Sequence, residues 1–330
     1  MEIIKVNNLT KVFKSSKKRE GLVGGLKDLF NREYMTTTAV DHINISINEG
    51  ELIGYIGPNG AGKSTSIKML TGILVPTSGE INVLGYHPFK DRKKYTKEIG
   101  VVFGQRTQLW WDLAVRESFN LLSKIYDVKN YSSQLEILIN ILDIERLLST
   151  PVRKLSLGER MRCELAASLI HNPKILFLDE PTIGLDAVGK EAVRKFLKKI
   201  NQEFKTTILL TTHDLAEIEE LCKRIIIIDK GKVIYDGDLS EIKSLNGLKR
   251  SFTVDFHDEP PISELIANFN NKVEIKHEGG KKIVGIYDPQ EINTVELIKD
   301  LVSRYQIVDI SLLEASIDDV IIRIYKDGLN

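Results

Sequence analysis

The chain has very little cysteine and no long apolar run. Its two cysteines, Cys163 and Cys222, stand far apart and outside any metal-ligand spacing among 330 residues. A disulfide framework and a cysteine-bound zinc are therefore excluded, and both thiols read as small buried hydrophobes in a reducing compartment. A membrane span needs about 20 consecutive apolar residues, and the apolar stretches here, such as Ile225 to Ile228, are strand-sized. The chain is not expected to form a transmembrane path by itself, so any role in transport requires another chain to supply the channel. The opening residues MEIIKVNNLTKVFK contain no long apolar core, and no secretory signal is expected there. An excess of one charge is also lacking: Lys+Arg and Asp+Glu are both 46, a formal net charge of zero. That argues against a general nucleic-acid binder, which carries a basic surplus.

What is present is a strong alternation of strand and helix signals. Ile3 to Phe13 reads as a strand and Ala39 to Ile47 as another. Between them lies an insertion at about 14–36, basic at its start and apolar around Leu22, Leu26, Leu29 and Phe30. It is either a surface excursion of a hairpin or a contact surface. ELIGYIG is a short apolar run, KSTSIKMLTGIL is helical and stops before Pro76, INVLG and EIGVVFGQ are strands, and Leu113 to Leu148 has helical periodicity. From Lys154 to Asp236, apolar strands (ILFLD, TTILLTT, RIIIID) alternate with helices. This pattern predicts an α/β domain with a mainly parallel sheet covered on both faces. After about Asn246 the order becomes β-α-β-β-α-β, which predicts a small α+β domain of ferredoxin-like type over 247–330, ending in a helix at SIDDVIIRIY. There are no internal repeats or low-complexity tracts.

Two segments carry chemistry directly. Gly57-Pro58-Asn59-Gly60-Ala61-Gly62-Lys63-Ser64-Thr65 fits G-x-x-x-x-G-K-[ST] and lies between an apolar strand and a helix. Glycines let such a loop turn several N–H groups inward, and the helix N-terminus adds a positive dipole end. Lys63 can then reach the outer phosphates and the Ser64 hydroxyl can bind Mg2+. The second segment, Lys174 to Glu180, is an apolar strand ending in two acids. Ligands of an open parallel sheet gather beyond the carboxyl ends of its strands. Asp179 is therefore suited to hold Mg2+ and Glu180 to activate a water at the γ-phosphate.

Three more segments narrow the reading: Leu155-Ser156-Leu157-Gly158-Glu159-Arg160, Asp179-Glu180-Pro181-Thr182-Ile183-Gly184-Leu185-Asp186, and Thr211-Thr212-His213-Asp214. With Gln105 in VVFGQ, their order and spacing resemble the ATP-binding cassette (ABC) family from about Ile3 to Leu245. The resemblance implies a P-loop NTPase with a RecA-like core, a helical subdomain at about 106–172 and an antiparallel β subdomain, together filling 1–246. It further implies that Gly57 to Thr65 binds ATP, with Ser64, Gln105 and Asp179 at Mg2+. Glu180 would be the catalytic base, Gln105 the sensor of metal and water, and His213 the residue at the γ-phosphate. Ser156, Gly158 and Glu159 would face the ATP of a second copy, Asp186 would line the partner's site, and Phe13 would stack on adenine, with Tyr34 as a weaker candidate. The signature departs from the usual Leu-Ser-Gly-Gly-Gln: Leu157 requires an ordinary backbone, and Glu159 brings a negative charge.

The implied protein is an ATPase subunit of an exporter, similar to the drug, polysaccharide or sodium export type. It would pair as a homodimer and drive a separate integral membrane permease from the cytoplasmic face. The adjacent Trp110 and Trp111 read either as core or as a docking groove for that permease. The alternatives are a soluble ABC ATPase acting on ribosomes or DNA, and a P-loop switch or kinase. Ribosomal members carry two cassettes with a charged linker and repair members carry long coiled coils, neither of which is seen here. The Asp179-Glu180 pair and the Ser156 signature argue against the switch or kinase.

Overall fold

The computed structural model describes residues 1–16, 34–104, 106–243, 249–269, 272–313, 320, 321 and 324. The chain forms two compact units, Met1–Gly237 and Asp238–Asn330.

The first unit holds two sheets. Strands β1 (Glu2–Ser16), β2 (Tyr34–Asn48) and β4 (Ser78–Val83) make an antiparallel sheet in the order β2-β1-β4. The inner half of β2 alternates buried and exposed residues, as expected of a strand with one solvated face. The other sheet is built from β3 (Leu52–Ile56), β5 (Ile99–Phe103), β6 (Ile175–Asp179), β7 (Thr207–Thr211), β8 (Arg224–Asp229) and β9 (Lys232–Asp238), in the order β5-β6-β7-β3-β8-β9. The first five strands of that order pair in parallel. Every residue of β3 and β7 is buried, the pattern of strands covered on both faces. The edge strand β9 was not foreseen. It is joined to β8 by a two-residue turn, Lys230-Gly231, with φ 46° and 81°. Positive φ at both turn positions matches the twist of a tight hairpin.

Helix α1 (Lys63–Leu70) follows β3 and stops at Thr71, with Gly72 left-handed beyond it. The basic run from Asp91 becomes the short helix α2 (Arg92–Tyr95), anchored by the buried Tyr95, whose hydroxyl donates to the Leu70 carbonyl at 2.6 Å. The helical stretch from Leu113 to Leu148 is two helices rather than one. These are α3 (Val115–Ile125) and α4 (Tyr131–Leu142), separated where Asp127 takes φ 56°. Then come α5 (Leu157–Leu169), α6 (Ala187–Phe204) and α7 (Leu215–Leu221).

The second unit contains α8 (Leu239–Lys243), β10 (Arg250–Phe256), α9 (Ile262–Asn268), β11 (Val273–Gly279), β12 (Lys282–Tyr287), α10 (Thr294–Arg304) and β13 (Ile307–Leu313). The strand order β11-β12-β10-β13, antiparallel throughout, is the split βαβ arrangement of a ferredoxin-like fold. Phe252, Val254, Tyr287, Leu297 and Leu301 form its core. Most of the 14–36 insertion and most of the SIDDVIIRIY helix lie outside the described residues, although Val320, Ile321 and Ile324 are helical and buried.

Candidate functional site

The phosphate-type loop leaves the end of β3 and closes onto α1. Its last glycine, Gly62, caps the helix at φ 110°, and a Cβ there would run into the Ala39 carbonyl oxygen. Glycine is required on both counts. The β8–β9 turn braces the loop from the side: Gly231 N donates to Ala61 O at 2.9 Å, and Gly231 O accepts from Asp41 N at 2.8 Å. Lys63 is only 5% exposed, and its ammonium donates to Gly57 O at 2.6 Å and Pro58 O at 3.1 Å. Burial lowers its pKa, and the nearby carboxylates of Glu180 and Asp179 pull it back up.

Three hard oxygens converge beside this lysine. Asp179 Oδ1, at the carboxyl end of β6, accepts from Ser64 Oγ at 3.2 Å and from Thr211 Oγ1 at 2.8 Å. Among the described residues no group of three or more His, Cys, Asp or Glu could hold a metal ion. One carboxylate with hydroxyls nearby suits Mg2+, which keeps waters and takes phosphate oxygens as its other ligands. Thr211, at the end of β7, was not singled out from sequence as a site residue. It orients Asp179 and also accepts from Glu180 N at 3.1 Å.

Glu180 adopts φ 56°. For a residue other than glycine this costs about 1–3 kcal/mol and persists only where its surroundings enforce it. Here Thr211 enforces it through the Glu180 N–H. The strained backbone turns the side chain to His213, whose Nε2 lies 2.5 Å from Glu180 Oε1. Gly104 packs directly on this turn: its N–H donates to Asp179 O at 2.9 Å, and a Cβ there would strike the Glu180 carbonyl oxygen. A backbone oxygen cannot swing aside as a side chain can. Gly104→Ala is therefore expected to destabilise the fold by about 1–3 kcal/mol, the usual cost of overpacking, and to displace Glu180. A thermal melt and a phosphate-release assay both unchanged by the substitution would contradict the close approach. Gln105, the next residue, lies outside the described residues.

A second, separate feature is the tip of α5. Ser156 is its N-cap and Leu157 opens the helix, absent from the residues with positive φ, so the unusual leucine is tolerated. Nothing lies within 4 Å of a Cβ built at Gly158. Glu159 closes a capping box: its carboxylate accepts from Ser156 N at 3.0 Å and Ser156 Oγ at 2.9 Å, and Arg146 lies 3.5 Å away. The Ser156 N–H bond holds the Glu159 carboxyl below its ordinary pKa. Glu159 thus has a local partner at its own helix tip. Across the same cleft, of about 790 Å³, are Gly184 and Asp186. Asp186 caps α6 by accepting from Gly189 N at 2.7 Å. Neither Lys63 nor Glu180 lines this cleft.

Phe13 is 42% exposed, with the Lys11 ammonium 5.3 Å from its ring centroid. Tyr34 lies further out on the same hairpin, opposite Ser16. Trp110 and Trp111 are half exposed, so the core reading of that pair is corrected. They are held by Ser118, whose hydroxyl accepts from Trp110 N at 3.2 Å, and by the Arg160 guanidinium over Trp111. No helix among the described residues is long and apolar enough to cross a membrane.

Comparison with known proteins agrees with this geometry. Residues 40–183 match the family described as ABC transporter. The bacitracin transport ATP-binding protein of Bacillus licheniformis is 33% identical over 244 residues, 74% of this chain and 72% of that one. A methionine import ATP-binding protein of Enterococcus faecalis is 30% identical over 306 residues, 88% of this chain and 86% of that one. A solved dimeric ATP-binding cassette, in a post-hydrolysis state with ADP and phosphate, superposes with a TM-score of 0.59 at 27% identity, covering 72% of this chain and 99% of that one.

Proposed function

Because the chain belongs to the ABC transporter family as an ATP-binding, ATP-hydrolysing subunit, we propose that two copies of it enclose two ATP molecules and drive a separate membrane permease, in the direction of export. The observation that carries the ATPase reading is the convergence of Lys63, Ser64, Asp179, Glu180, Thr211 and His213 at the carboxyl ends of β3, β6 and β7. The loop N–H groups and Lys63 hold the outer phosphates. Ser64 and Asp179, oriented by Thr211, hold Mg2+ together with Gln105. When bound, Mg2+ neutralises charge that develops on the phosphates. Glu180 orients the attacking water and accepts its proton, and His213, whose Nε2 lies beside the Glu180 carboxylate, contacts the γ-phosphate.

The pairing is supported by the separation of the Ser156 cleft from the Lys63 cradle within one chain, and by the dimeric form of the similar cassette. In the pair, Ser156 and Gly158 of one copy meet the γ-phosphate held by the other, and Asp186 lines the partner's site. Phe13 stacks on adenine. The half-exposed Trp110 and Trp111 meet the permease, which seats the subunit on the cytoplasmic face of the membrane. Residues 247–330 act as an accessory regulatory unit. Export is favoured by the likeness to export-type subunits, although similar chains include one named for methionine import.

Gly158→Asp tests the pairing. The space around Gly158 is open, so the fold accepts the side chain, but a carboxylate then faces the partner's phosphate. Analytical ultracentrifugation is expected to show an ATP-dependent dimer for the parent and none for the variant, with ATP affinity per chain unchanged. A parent that stays monomeric with ATP and still hydrolyses it at full rate would exclude the two-copy site.

A further inference from the structure

Glu164 lies on α5 about two turns beyond Ser156 and is only 3% exposed. Nothing in the reaction uses it. A carboxylate in such a position is unfavourable unless it is fully hydrogen-bonded, and this one is bonded to a single short stretch of chain. It accepts from the Thr107 hydroxyl and, at 3.2 Å, from Gln108 N. Gln108 returns the contact, its Nε2 donating to Glu164 O at 3.1 Å. Thr107 Oγ1 in turn accepts from Leu109 N at 3.1 Å, so residues 107–109 are folded around the carboxylate. Burial raises the carboxyl pKa while these bonds oppose the shift.

The segment so gripped joins two places. On one side, Gly104 N is bonded to Asp179 O, and Arg106 N donates to Phe103 O at 2.8 Å, at the end of β5. On the other side the chain emerges as Trp110 and Trp111. Arg160, one helical turn before Glu164 on the same face of α5, stacks over Trp111, and Arg153 N donates to Trp111 O at 3.0 Å. The helix whose tip is Ser156 therefore holds the tryptophan loop at two points, Arg160 and Glu164.

We propose that Glu164 is a positioning residue that locks residues 107–109 to α5, so that the Ser156 tip and the Trp110–Trp111 surface move as one body when ATP binds. This rests on the reading that Ser156 meets the ATP of a second copy and that Gln105 senses the bound metal. The lock carries the nucleotide state to an exposed surface without any contact between Glu164 and the nucleotide.

The two tryptophans of the chain are both in this loop, so tryptophan emission, excited apart from tyrosine, reports on it alone. The test uses the full chain in a Glu180→Gln parent, with ATP binding measured separately by equilibrium dialysis. The parent is expected to change its tryptophan emission as ATP saturates. Glu164→Ala is expected to bind ATP with unchanged affinity and to lose most of that change. With Glu180 restored, the same variant should lower kcat by about tenfold at unchanged KM, within the ~2- to 30-fold range of coupling substitutions. Glu164→Gln keeps an acceptor for Gln108 N and should recover the response. Thr107→Val removes the grip from the loop side and should reproduce the loss, even if Glu164→Ala does not fold. A full tryptophan response in Glu164→Ala or Thr107→Val, or no response in an ATP-saturated parent, overturns the proposal. Failure of the parent to bind ATP at all, read by dialysis, would instead overturn the nucleotide reading beneath it.

Discussion

Replacing Glu180 with Gln is expected to slow ATP turnover by about 10²–10⁴, the contribution of a positioned general base, while ATP binding is kept. The two side chains have the same shape, so the strained backbone at φ 56° and its bonds to Thr211 are unaffected. The amide oxygen can still accept from His213, which lies 2.5 Å from Glu180 Oε1. What is lost is the ability to take a proton from water. One negative charge also leaves the neighbourhood of the triphosphate, which favours the bound state, so an ATP-loaded dimer should accumulate. Phosphate release and sedimentation measure the two effects independently. Turnover close to that of the parent would mean that another group activates the water.

Lys63→Ala is expected to weaken ATP binding by about 10- to 150-fold, the equivalent of losing a charge-assisted hydrogen bond of about 1.5–3 kcal/mol. Lys63 is a cation among carboxylates: Asp179 and Glu180 both act on it, and both repel an incoming triphosphate. Removing it leaves that repulsion uncompensated. The loop should keep its shape, because its turn depends on Gly62 and on the Gly231 brace rather than on the lysine side chain. Calorimetric titration with ATP should therefore show the loss while the melting temperature without ATP changes little. Equal affinity in the two proteins would place the triphosphate elsewhere.

The parts of the site that sequence made legible are those whose chemistry needs adjacent residues. The loop from Gly57 to Thr65, the Asp179-Glu180 pair and the Ser156 tip each lie within a few positions, so spacing alone carried them. The β-α-β-β-α-β order of the second unit was legible because its strands alternate and its helices have apolar faces. Hidden were the contacts closed by the fold. Thr211 reaches Asp179 across 32 positions and Thr107 reaches Glu164 across 57. Gly104 matters only because the Glu180 carbonyl comes to rest against it. One local signal has a second meaning: Ser156-x-x-Glu159 is a capping box in plain sequence, and the fold closes it. Strand β9 was missed because a hairpin edge with a mixed burial pattern lacks the continuous apolar run that marked its neighbours.

The two thiols have a practical consequence. Cys163 is 0% and Cys222 4% exposed, and burial pushes the Cys163 thiol up to about 12 and that of Cys222 higher still. Thiolate is the form that alkylating reagents attack, so neither native sulfur should compete for a maleimide at neutral pH. A cysteine engineered on the surface would then be the sole labelled position, and dyes or crosslinkers could be attached to this chain without first removing either natural thiol.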